Sequence, residues 1–328
     1  MTKEELKIIF MGTPHFAVAT LQALVEGGYN VVAVVTQPDK PSGRRHSTLT
    51  PSPVKQYATE HNLPVMQPLK MKDEAFISEL RSYAADLQVV VAFRMLPEAV
   101  WAMPRLGTFN VHASLLPRYR GAAPINWAVI NGETITGVTT FFIDSKIDTG
   151  RIIKQHTCPI NEDDCAGDVH DALMSLGART AIETVDDIIL TDGRTETIEQ
   201  DRLLTQADTG AEPLPTAPKI FNDTCRIDWN RPARDVHNFV RGLSPLPGAW
   251  TLMTTDGKTD TLKIFSTKKT DLPANRPPGT VVIEGHNMYV ATADLLVAVG
   301  QVQAAGKRRM DAALFINGMR NIATAHLQ

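Results

Sequence analysis

Residues 6–37 read LKIIFMGTPHFAVATLQALVEGGYNVVAVVTQ. The first apolar run, LKIIF, stops at Gly12-Thr13-Pro14. Residues 16–28, FAVATLQALVEGG, then carry apolar side chains at helical spacing and close on two glycines, and NVVAVVTQ begins a second valine-rich run. Apolar residues at successive rather than alternate positions suit strands covered on both faces, and a strand, a helix and a second such strand suit a parallel sheet. DLQVVVAF (86–93) and GVTTFFID (137–144) supply further strands, and residues 168–190 form a long amphipathic helical pattern. The expectation is an α/β chain with a Rossmann-like parallel-sheet N-terminal domain over residues 1–190. The glycine of MGTP lacks the companions of G-x-G-x-x-G, and there is no Walker A pattern, so a dinucleotide site at this turn has little support.

Beyond Thr191 the periodicity is lost in polar, Pro-containing sequence, and residues 191–212 read as a linker. From residue 213 to 328 a short helix, RPARDVHNFVRGL, precedes GAWTLM, TDTLKIFS, GTVVIEG, NMYVATAD and LLVAVGQVQ, short strands divided by turn residues. This pattern predicts a small OB-like β-barrel as the C-terminal domain, an architecture that includes nucleic-acid binders. Charge divides the same way. Residues 213–328 hold 14 Lys+Arg against 9 Asp+Glu, a balance of +5, and residues 1–212 carry −8 within the chain total of −3. The C-terminal domain is therefore the better surface for a polyanion.

At 328 residues, with 43% hydrophobic and 21% charged residues, the chain can build two cores and is not of disordered composition. No run approaches 18 apolar residues, and MTKEELKIIFMG shows no secretory pattern. The three cysteines, Cys158, Cys165 and Cys225, form neither a CxxC pair nor a disulfide framework. These features predict a cytoplasmic protein with no membrane span and no metal.

The chemistry concentrates in NVHASLLPRYRGAAP, residues 110–124. On a strand, Asn110 and His112 point to the same side, so one strand end aims an amide donor and an imidazole at one substrate atom. The amide suits a growing oxyanion, and the imidazole exchanges protons near neutral pH. Asp148, in DSKIDTGRI after another strand, reads either as a capping or turn residue or as a carboxylate that orients the imidazole and completes a triad without a nucleophilic serine. Ser114 lacks a G-x-S-x-G elbow and is not read as a nucleophile. The loop of residues 36–55, TQPDKPSGRRHSTLTPSPVK, carries Lys40, Arg44, Arg45, His46 and Lys55 and suits a phosphate backbone.

NVHASLLPRYRGAAPINWAVINGE (110–133) together with GVTTFFIDSKIDTG (137–150) resembles the signature of the 10-formyltetrahydrofolate-dependent formyltransferases. FMGTPHFAV, TQPDKPSGR, TPSPVK, APKI, RIDW and VRGLSPLPGAW extend the resemblance over essentially the whole chain, toward the branch that acts on tRNA. The resemblance implies transfer of the formyl group of 10-formyltetrahydrofolate, as co-substrate, to the α-amino group of initiator methionyl-tRNA. Asn110, His112 and Asp148 are then the catalytic set, Ser114, Leu115, Leu116 and Pro117 the folate-contacting segment, and Arg44 a contact to the tRNA acceptor end. A monomer is the family expectation. Two positions depart from the pattern: Lys146 stands where glycine is usual, and Phe93-Arg94-Met95 replaces a Tyr-Gly-Gln-like stretch. Formyl transfer to a glycinamide or sugar-nucleotide amine, hydrolysis of the formyl group, and an inert RNA-binding role are the competing readings. The basic C-terminal domain and the intact triad argue against them.

Overall fold

The first apolar run forms the strand Ile8–Gly12, buried at every position, with Val31–Val35 parallel to it on one side and Leu87–Val91 on the other. The computed structural model describes residues 1–42, 48–204, 213–319 and 322–328. Its first sheet runs in the order Ile152–Pro159, Ile135–Phe142, Thr108–His112, Leu87–Val91, Ile8–Gly12, Val31–Val35, Val65–Met66. The five strands from Thr108–His112 to Val65–Met66 are parallel, and Ile135–Phe142 runs antiparallel to Thr108–His112. Taken in chain order, the parallel strands lie as 3-2-1-4-5, so the winding reverses between Ile8–Gly12 and Leu87–Val91. In open sheets of this kind ligands bind beyond the carboxyl ends of the strands at that reversal. The loops after Gly12, Val91 and His112 share this edge.

One face of the sheet packs Ile9, Met11, Val35, Met66 and Val90 against Phe76 and Leu80 of the helix Glu74–Ser82 and Val100 of Glu98–Trp101. Asp73 caps Glu74–Ser82 by accepting from Ala75 N at 2.9 Å. The other face meets the helix Ala166–Leu190: Val111 lies against Gly177, and the hydroxyls of Thr140 and Thr184 bond at 2.8 Å. The strand Ile152–Pro159 is not foreseen from sequence. It lies at the end of the sheet, and its half-exposed IIKQHTCP carries no apolar run.

The chain divides into two units with interleaved segments, 1–120 with 136–158 and 170–215, and 121–135 with 159–169 and 216–328. The stretch read as a linker contributes to the first. Ile198 pairs with Ile152 through both backbone bonds, 2.9 and 2.8 Å, and Gln200–Leu203 makes a 3-10 turn.

In the second unit an antiparallel sheet runs Val281–Glu284, Asn287–Ala291, Leu295–Ala304, Lys258–Pro273, Ala249–Thr255, His326–Leu327. Register shifts along the 16-residue strand Lys258–Pro273 let the sheet curl. Thr280 bridges His326, and Leu327 N donates to Gly279 O at 2.8 Å, which links the two outermost strands. At Gly279, with φ +84°, a Cβ would overlap the Leu327 carbonyl oxygen, so only glycine fits. Trp229, Val236, Val240, Ile264, Val290, Val302 and Phe315 fill the core.

Within this unit His237 is buried, its Nδ1 3.0 Å from Thr267 Oγ1 and its Nε2 3.4 Å from Glu162 O. Burial pushes its pKa down. The Glu162 carbonyl and Asp163 oppose that shift, whereas Arg241 and Lys269 add to it. A histidine with a depressed folded-state pKa leaves the unfolded chain binding the extra proton first as pH falls. Stability is therefore full above the unfolded value, about 6.5, and is lost as pH drops below it toward the folded value. Urea midpoints taken between pH 7.5 and 5 are expected to fall in this window, and to fall less in His237→Gln; parallel curves for the two proteins would exclude His237 as the source.

Candidate active site

Thr108–His112 ends at the ligand-binding edge of the first sheet. Asn110 stands beside Val90 in the parallel register and opposite Phe141 in the antiparallel one, and His112 stands opposite Thr139. The expected same-side placement of Asn110 and His112 follows from the strand. Asn110 is half-buried, and its carboxamide forms no side-chain hydrogen bond among the described residues. His112 is 6% exposed, with the Phe141 ring edge-on at 6.4 Å.

The His112 ring is held differently from the sequence expectation. Its Nε2 lies 2.9 Å from the backbone oxygen of Tyr119. A carbonyl only accepts, so Nε2 carries the hydrogen and the neutral ring keeps its lone pair on Nδ1. That atom faces Asp148 Oδ2 at 3.9 Å, within ion-pair range but too far for a hydrogen bond. The one hydrogen bond that sets the ring is therefore the one to Tyr119 O. Sequence reasoning passed over Tyr119 because its side chain is not what it contributes.

Both partners of His112 sit on left-handed backbone, Tyr119 at φ +60° and Asp148 at φ +54°. The conformation is unfavourable for a bulky residue such as tyrosine and persists only where the surroundings impose it. Tyr119 is buried, and its N–H donates to Pro215 O at 2.7 Å. Around Asp148, the Asp144 carboxylate accepts from Lys146 N at 2.9 Å and from Thr149 Oγ1 at 2.9 Å, while the Lys146 side chain is exposed.

Residues 114–117, between His112 and Tyr119 in the chain, form a hydrogen-bonded turn. Ser114 is fully buried and donates to Arg118 O at 2.9 Å. Thr139 Oγ1 donates to Ser114 O at 2.7 Å and accepts from Leu116 N at 3.1 Å, and Gln155 Nε2 donates to Leu116 O at 2.8 Å. Leu116 packs with Phe141, Ile152 and Leu203, Leu115 is half-buried, and the Leu116–Pro117 peptide is cis. Arg44 and Arg45 lie outside the described residues.

At the reversal point, Arg94 donates from Nη1 to Leu69 O at 3.0 Å and from Nη2 to Pro68 O, joining the loops that follow two of the strands. Burial lowers its pKa, and its buried Nε has no partner among the described residues. Leu69 and Met95 beside it are large apolar side chains left 81% and 73% exposed. Among the described residues no group of three His, Cys, Asp or Glu side chains is placed to hold a metal ion, and no helix is long and apolar enough to cross a membrane.

An amide donor and an imidazole on one strand end, with a carboxylate facing the imidazole and no serine poised for attack, suit polarisation of a carbonyl and removal of a proton from its attacker. Residues 6–185 match the family model described as formyl transferase, and residues 219–320 match the formyl transferase C-terminal domain. The chain belongs to the formyl transferase family. Methionyl-tRNA formyltransferase of Parabacteroides distasonis is 58% identical to it over 326 residues, covering 98% of each chain. The Bacteroides fragilis protein of the same name is 55% identical over 312 residues, 94% of each. An N-formyltransferase from Helicobacter canadensis, solved with folinic acid and dTDP-3-aminofucose, superposes with a TM-score of 0.62 at 20% identity, over 91% of this chain and 100% of that one. That likeness speaks for the fold. Asn110, His112 and Asp148 all fall inside the N-terminal family match.

Proposed function

We propose that this formyl transferase moves the formyl group of 10-formyltetrahydrofolate to the α-amino group of initiator methionyl-tRNA, giving formylmethionyl-tRNA for translation initiation. The observation that carries the chemistry is the free Nδ1 of His112 facing Asp148, on the strand end that also presents Asn110. The acceptor follows from relatives of that name matching nearly the full chain.

Asn110 donates to the formyl oxygen as negative charge grows there. The attacking amine loses one proton, and N10 of the departing tetrahydrofolate gains one. His112 Nδ1 accepts the first, the Asp148 carboxylate stabilises the resulting imidazolium, and the pair returns the proton to N10. The edge fits the folate. Leu69 and Met95 offer open apolar surface to a flat heterocycle, and the braced turn of Ser114, Leu115, Leu116 and Pro117 supplies a rigid wall.

The second unit takes the tRNA. Within it the C-terminal stretch, residues 213–328, has the +5 balance that suits phosphates, and the Thr280–His326 bridge supports reading the curled sheet as an OB-like barrel. Arg44 acts at the acceptor end. A monomer acting in the cytoplasm is the family expectation carried into this reading.

The purified protein, 10-formyltetrahydrofolate and methionyl initiator tRNA together are expected to yield formylmethionine. No product with the tRNA, alongside turnover of a sugar-nucleotide amine, would reassign the acceptor.

A further inference from the structure

We infer that Gln200 is a positioning residue for Asp148, with Arg120 as its anchor; this rests on the formyl-transfer reading. Gln200 is 3% exposed although it belongs to a polar stretch that reads from sequence as a linker. Its Nε2 donates to Asp148 O and to Gly150 O, both at 2.9 Å, and so holds the turn on either side of Thr149. Its Oε1 accepts from Arg120 Nε at 3.0 Å and Nη2 at 2.6 Å, a forked pair that fixes the plane of the amide. All four polar contacts of the amide are therefore committed.

The segment bearing Gln200 is itself fastened. Ile198 pairs with Ile152, Arg151 donates to Thr197 Oγ1 and Glu199 Oε1 at 2.6 Å each, and Leu203 packs onto Leu116, Phe141 and Ile152. An amide mounted this way can impose the left-handed backbone of Asp148 and set how its carboxylate meets His112. Gln200 touches no reacting atom, so it acts through Asp148 alone. Arg120, three residues beyond the Leu-Pro step of the catalytic segment, gains a role the same way: it ties the chain following His112 to the turn that carries Asp148.

The test compares wild type, Gln200→Ala, Gln200→Glu, Asp148→Asn and the Gln200→Ala/Asp148→Asn double variant in formylation of methionyl initiator tRNA. A misplacement of about 1 Å costs about 100-fold, so Gln200→Ala is expected to lower kcat by about 10- to 100-fold, with KM for either substrate within about 3-fold. Gln200→Glu keeps an acceptor for Arg120 but loses both amide donors, and falls as far. In the Asp148→Asn background the effect of Gln200→Ala shrinks to below about 3-fold, because residues acting as one unit are not additive. Equal losses in both backgrounds, or full kcat in Gln200→Ala where Asp148→Asn is crippled, overturn the inference. Where Gln200→Ala does not fold, Arg120→Ala, which leaves both amide donors in place on a loosened side chain, gives the same comparison with a smaller loss. A wild-type chain that makes no formylmethionine removes the reading of methionyl-tRNA as acceptor, and the inference that rests on it.

Discussion

His112→Ala is expected to lower turnover by about 10²- to 10⁴-fold, the range for removing a general acid–base group. The basis is the division of labour in the ring: Nε2 is committed to Tyr119 O, which leaves Nδ1 as the one nitrogen able to take the amine proton. The same geometry predicts a stability cost. Alanine strips the Tyr119 carbonyl of its donor, about 1–3 kcal/mol for a buried acceptor, equivalent to several degrees of melting temperature in a unit of this size. His112→Gln separates the two effects. A glutamine amide can still donate toward Tyr119 O but cannot accept a proton, so its melting temperature stays closer to wild type while its turnover falls as far. Single-turnover formylation beside calorimetry reads both quantities. Near wild-type turnover in His112→Gln would remove proton transfer from the role of His112.

The parallel sheet was legible because its strands are buried on both faces, so runs such as IIFMG, VVAVV and LQVVV stand out without alternation. The pairing of Asn110 with His112 was legible for a different reason: a two-residue period on a strand leaves no choice of side. What supports the pair was not. Tyr119 acts through a backbone oxygen, and a main-chain carbonyl has no residue signature. Gln200 sits in a polar, aperiodic stretch, and its burial depends on Ile198 and Leu203 being fastened 46 or more residues away from Ile152 along the chain. Ser114 and Leu116 show the converse. The motif marks them as important, and the structure shows their side chains bracing the turn.

The pattern around His112 is one of enforced geometry. Tyr119 and Asp148 both hold positive φ, and each is tied by a bond from a segment close to the poorly periodic stretch, Tyr119 N to Pro215 O and Gln200 Nε2 to Asp148 O. Strain of this kind costs about 1–3 kcal/mol per residue and is retained where a group must be held ready. Residues 195–203 and 213–215 thus work as a brace for the site rather than as a passive connection, a function that composition alone could not assign.

Gly150→Ala is expected to damage both folding and turnover. A Cβ at Gly150 would fall inside contact distance of the Phe142 carbonyl oxygen and within 2.9 Å of its carbon. That backbone cannot retreat: Phe142 N donates to Arg151 O at 3.0 Å, and Phe142 ends a strand paired with Thr108–His112. Gly150 must then move, and because its own oxygen accepts from Gln200, the displacement passes into the turn carrying Asp148. Overpacking of this kind costs about 1–3 kcal/mol, and a shift of about 1 Å at Asp148 costs about 100-fold in rate. Calorimetry should show a melting temperature lowered by several degrees, and formylation assays run well below the new midpoint should still show the rate loss. Because the folded fraction is then close to one, the remaining deficit measures the displaced carboxylate and not unfolding. A Gly150→Ala protein with wild-type rate and midpoint would mean that the turn is not clamped between Phe142 and Gln200, and the positioning of Asp148 would have to come from elsewhere.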